Sequence, residues 1–136
     1  LMAVLLLAMG TARAELSPQL AAPPETLADA FLTGLVERVP LSPREHAAVR
    51  LVLIEQIKRR QEVVRARLAA TPGRAGMLAL RQDLGELNRE TDAKLAAVLP
   101  PEKMEAVGAY REERRQQVRR NLEEMHSRQQ QAQRGE

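Results

Sequence analysis

The side chains that could do chemistry are few. His46 and His126 are the only histidines, Ser17, Ser42 and Ser127 the only serines, and cysteine is absent. A thiol nucleophile is therefore ruled out, and no G-x-x-x-x-G-K-[ST] or G-x-G-x-x-G loop is present to cradle a nucleotide. Ser42 precedes Pro43 and has Glu45 three residues on, which is the signature of a helix cap, not of a nucleophile. Metal ligation is the remaining possibility, since His and Met suit borderline and soft ions. Met125 and His126 are sequence neighbours and so face different sides of a helix. His46 has Arg50, which is no ligand, one turn on. His46, Met125 and His126 are thus weak metal candidates, and a site built from them would span a dimer interface. The residues predict no enzyme, no resident cofactor and no catalytic group; zinc or another transition metal is the alternative.

These residues sit on what reads as an all-α chain of four helices. The first spans about Glu25 to Arg38, with Leu27, Phe31 and Leu35 at four-residue steps and Ala28, Leu32 and Val36 beside them. Gly34 within it either weakens the helix or lets a neighbour come close, and Pro40 ends it. Leu41-Ser42-Pro43-Arg44-Glu45 then opens the second helix. Ser42 is the N-cap, Pro43 takes the first helical position, and Glu45 completes a capping box, with Leu41 placed as a hydrophobic staple. That helix runs from 43 to about 70, roughly 40 Å at 1.5 Å per residue, and stops at Thr71-Pro72-Gly73.

A third helix begins near Ala75 with the most regular seam in the chain: Met77, Leu80, Leu84, Leu87, Thr91, Leu95 and Val98. The steps of three and four are coiled-coil-like. Leu99-Pro100-Pro101-Glu102-Lys103 forces a corner, and Pro101 starts a fourth helix with Glu102 near its positive end. Met104, Val107, Val118, Leu122 and Met125 mark its apolar side. Arg111 to Gln117 holds no core residue, so that stretch projects past its neighbours or lies along a partner. Residues 129–136 read as a frayed tail. So little apolar surface per turn predicts an elongated, thin hairpin or bundle that dimerises, with a plain monomeric four-helix bundle as the alternative.

Composition narrows the function. Basic and acidic residues number 21 and 18, so the pI near 9.9 reflects arginine more than a charge excess. Phe31 and Tyr110 are the only aromatics, and acids interrupt the basic runs, which argues against nucleic acid. Leu1 to Met9 is continuously apolar and leads into Ala12-Arg13-Ala14, the layout of a secretory signal peptide cut after Ala14. Residues 15–24 then form a flexible leader, and 25–128 the helical domain. What remains is surface. Arginine stems and nearby Leu and Met suit weak contact with unfolded chains, through Arg50, Arg59, Arg60, Arg111, Arg114, Arg115, Met104 and Leu122. The same residues would equally make an ordinary solvated face held by Glu–Arg pairs.

The two corners carry a resemblance. Leu41-Ser42-Pro43-Arg44-Glu45 and Leu99-Pro100-Pro101-Glu102-Lys103 resemble the paired Leu-Thr-x-x-Gln motifs of the Spy/CpxP family of periplasmic proteins, over about residues 25–125. Ser42 stands for Thr and Glu45 for Gln, and both still cap. Pro100 and Lys103 depart from the pattern, which removes side-chain capping from the second corner. The resemblance implies a cradle-like periplasmic homodimer, part of the envelope stress response, that binds unfolded envelope proteins without nucleotide, or that serves a sensor-protein partner. Family relatives respond to zinc, copper or nickel, so a heavy-metal sensor or resistance protein, with a membrane-anchored form as its variant, is the alternative it implies.

Overall fold

The computed structural model describes residues 21–71 and 73–135. Signal peptide and leader expectations for residues 1–20 fall outside that range. Four helices and no strand are present among the described residues: α1 Pro24–Val36, α2 Pro43–Ala70, α3 Arg74–Val98 and α4 Pro101–Arg134. The all-α expectation is met, and the boundaries of α2 follow the sequence signals. None of the described helices is long and apolar enough to cross a membrane.

The core lies where the two corners meet. Ala28, Leu32, Leu35 and Val39 form one stripe of α1 and its exit, and they pack with Val49 and Leu53 of α2, Leu95 and Leu99 at the end of α3, and Val107 and Tyr110 of α4. Leu41, the staple residue, packs against this same cluster. The halves on either side match: Val49 and Val107 hold the same position after their corners, and each is 1% exposed.

Two arms leave this junction. The first is the antiparallel α2–α3 hairpin. Its seam buries Leu80, Leu87, Thr91 and Leu95 as the sequence spacing requires, while Met77 at the head of that seam lies exposed. Cross-helix pairs lace it from base to tip: Lys94 to Glu55 at 3.1 Å, Arg59 to Glu90 at 2.5 Å and Arg67 to Asp83 at 2.6 Å. Exposed pairs of this kind fix register more than they stabilise. Thr91 meets its burial cost by donating its hydroxyl proton to the Leu87 carbonyl at 2.8 Å.

The second arm is the distal part of α4. Every described residue from Glu112 onward is exposed, and past Glu113 and Arg114, which still reach Arg38 and Phe31 of the α1 segment, about 30 Å of helix stands alone. This fulfils one of the two outcomes expected for the polar stretch after Arg111. Within residues 129–136, read from the sequence as a frayed tail, α4 continues to Arg134. Gln, Ala and Arg are good helix formers, and nothing breaks the run before Gly135. The start of the first helix falls within one residue of its expected place. Helix α1 already begins at Pro24, and the buried Gln61 donates its amide N–H to the Ala22 carbonyl at 3.0 Å, tying that segment to α2.

Candidate functional site

The first corner folds as its residues dictate. The Glu45 backbone N–H donates to the Ser42 hydroxyl at 3.1 Å, and the Ser42 backbone N–H donates to the Glu45 carboxylate at 2.9 Å, completing the capping box. At the second corner Pro100 has no side chain to cap with. Its carbonyl instead accepts the N–H groups of Lys103 and Met104 at 3.1 and 3.0 Å. Ser42→Ala should therefore cost about 0.5–2 kcal/mol in urea unfolding, while Pro100→Ala, having no cap to lose, should cost a few tenths at most. Equal losses would contradict this asymmetry.

The corners also hold each other, a contact the linear sequence did not announce. Lys103 Nζ donates to Glu45 Oε1 at 2.6 Å across a separation of 58 residues. Glu45 and Lys103 are the last residues of the two pentapeptides, so equivalent positions meet. Leu99 is buried and Leu41 half-buried beside them, Pro43, Pro101 and Glu102 lie on the exposed rim, and together they form a clasp over the core. The Lys103 hydrogen bond, then that of the Ser42 N–H, holds the Glu45 carboxyl below the usual glutamate value of 4.5, against desolvation that raises it. Asp29 and Asp83 are lowered in the same way, first by hydrogen bonds from Arg50 and Arg67.

A carboxyl with a depressed folded-state pKa contributes fully above its unfolded value and loses that contribution as pH falls through the folded one. Glu45→Gln keeps an oxygen for the capping box but removes the charge facing Lys103. Between about pH 6 and about pH 3, the urea midpoint of this variant should fall less than that of the unmodified chain. Parallel falls would show that the clasp carries none of the acid sensitivity.

The residues expected to bind clients separate into two groups. Arg50 pairs with Asp29 at 2.8 Å, Arg59 with Glu90, and Arg111 with Asp92. Arg114 lies over Phe31 at 5.1 Å and over Tyr110 at 5.8 Å, and Met104 packs against the core. These five hold helices together. Phe31 and Tyr110 meet edge to face at 5.1 Å, with Arg38 over the Tyr110 ring at 5.7 Å, so the only aromatics anchor α4 on α1. Gly34 is where they fit: a Cβ there would overlap the Tyr110 hydroxyl, which settles its role as a close-approach residue.

Arg60, Arg115 and Leu122 remain on open surface, Arg115 beside Glu112 at 3.4 Å. Leu122 has company there. Val118, Leu122 and Met125 follow i, i+4, i+7 spacing on one face of α4 and are 57%, 61% and 58% exposed. Arg119, Arg120, Glu123 and Glu124 fill the positions between them. The spacing of Val118, Leu122 and Met125 is that of the apolar side expected for α4. Among the described residues no other element packs over this stripe.

His46 sits half-buried in the first turn of α2, and His126 and Met125 lie on the exposed arm of α4. Among the described residues no three His, Cys, Asp or Glu side chains converge as a metal would need. No protein-family model matches the chain, and no curated protein or solved structure matches it either. The likeness to Spy/CpxP proteins thus rests on the two corners and the helices they open.

Proposed function

We propose that this protein is a nucleotide-independent chaperone of the bacterial periplasm that holds unfolded or aggregation-prone envelope proteins. The observation that carries the reading is the unpartnered arm of α4, with Val118, Leu122 and Met125 exposed among alternating charges. A narrow aliphatic stripe of this kind makes shallow contacts, and the flexible Met side chain adapts to differing partners. Flanking Arg and Glu keep the stripe hydrated and limit self-association. Such a surface favours weak binding of many unfolded segments over one tight complex.

The paired corners support the same reading through their resemblance to the Spy/CpxP motifs. That resemblance adds two further parts to the proposal: a homodimer, which sedimentation equilibrium reads directly, and export, for which mass spectrometry of the exported protein should find Glu15 at the N-terminus. The function itself is tested by mixing a chemically denatured client with purified protein, without nucleotide. Light scattering should fall progressively up to equimolar protein. Undiminished aggregation at every ratio would overturn the proposal.

A further inference from the structure

The tip of the α2–α3 hairpin carries the longest stretch of the chain without an acidic residue. From residue 63 to residue 82 the only charged side chains are Arg65, Arg67, Arg74 and Arg81, with no Asp or Glu between Glu62 and Asp83. Arg67 is neutralised by Asp83 across the hairpin. Arg74 and Arg81 are exposed, and with Leu78 they share one face of α3 at i, i+4, i+7 spacing. Beside them Leu68, Met77 and Leu78 are 54%, 57% and 57% exposed. Leu68 lies in the last turn of α2 and the other two lie at the start of α3, so all three stand within roughly 8 Å of the hairpin end. Between them Ala66, Ala69, Ala70 and Ala75 are exposed as well.

We propose that this tip docks on an anionic phospholipid surface. Aliphatic side chains at this depth match the 5–10 Å to which interfacial elements bury their apolar groups. Arginine stems lie along apolar surface while their guanidinium heads reach back to phosphate, which they bind as a fork. The three apolar side chains come from two helices on either side of a turn. A fluid acyl boundary accepts them in any register, whereas an acidic protein would supply carboxylates without that layer. On the α3 side of the turn Gly73 holds φ +96°, and Gly76 lies against the Thr71 carbonyl, which sets the last turn of α2 close against the start of α3. The surface lies at the far end of the hairpin from the corner clasp and is separate from the stripe on α4, so it does not depend on the chaperone reading.

Vesicle flotation of the full chain tests this. Vesicles of phosphatidylcholine alone are compared with vesicles that also carry phosphatidylglycerol. Binding through the apolar residues 1–9 would be common to both and to every variant, so the readout is the difference. Anionic vesicles should bind more chain, and raising salt to about 1 M, where the Debye length is about 3 Å, should erase the excess. Arg74→Gln/Arg81→Gln should weaken the anionic component roughly twenty-five-fold, at about fivefold per arginine. Leu68→Ser/Met77→Ser/Leu78→Ser should remove it, and Val118→Ser/Leu122→Ser/Met125→Ser should leave it unchanged. Equal partitioning to both vesicles, retention by the double arginine variant, or loss through the α4 variant instead would each overturn the proposal. So would capture by polyglutamate without vesicle binding, which would assign the tip to an acidic protein.

Discussion

Leu95→Ala should lower the unfolding free energy by about 2–5 kcal/mol. Leu95 is 1% exposed and packs at the junction where both corners and all four helices contribute to one cluster. Truncation removes the transfer free energy of the lost carbons and leaves a cavity that a junction held on several sides cannot collapse to fill. Leu122→Ala removes the same atoms from the exposed arm of α4 and should change stability by no more than about 0.5 kcal/mol. Urea unfolding of the two variants compares them directly. Similar losses at both positions would mean that the distal part of α4 is packed against something, contrary to an unsupported arm.

Gly73→Ala and Gly76→Ala should each cost about 1–3 kcal/mol, for different reasons. Gly73 adopts φ 96° and ψ −162°, a region open almost only to glycine, so a side chain is strained there even though nothing stands within 4 Å of it. Gly76 has an ordinary helical backbone, but a Cβ would overlap the Thr71 carbonyl oxygen, and backbone cannot swing aside as a side chain can. Gly85 provides the contrast. The nearest atom to a Cβ there is Arg89 Nη1 at 3.8 Å, so Gly85→Ala should stabilise α3 by up to about 1 kcal/mol. Thermal unfolding of the three alanine variants should therefore move in opposite directions. A loss at Gly85 equal to those at the tip would mean that helix propensity, strain and overlap had been wrongly apportioned.

The elements were legible because local signals agree with each other. Ser42, Pro43 and Glu45 set the start of α2, and the seam from Leu80 to Leu95 set the buried side of α3, both through short-range chemistry written in consecutive residues. Partnership between helices was not legible in the same way. Arg50 and Arg59 looked like members of an open basic surface, but each faces an acid on the neighbouring helix, and no spacing rule within one helix announces that. Arg114 likewise looked free and instead covers the two aromatic rings. The stripe of Val118, Leu122 and Met125 gave the reverse case: apolar periodicity normally implies a partner, and this stripe has none among the described residues. Lys103 looked like a departure from a capping pattern, and it proves to be the residue that joins one corner to the other.

The α4 arm is the working part of the proposed chaperone, and one comparison tests that directly. Aggregation of a denatured client is followed by light scattering with the unmodified chain and with Val118→Ser/Leu122→Ser/Met125→Ser, whose urea midpoints should coincide because all three positions are exposed. The unmodified chain should suppress scattering without nucleotide, and the variant, at equal concentration and equal stability, should lose most of this suppression. Full suppression by the variant would contradict the assignment of client binding to this stripe.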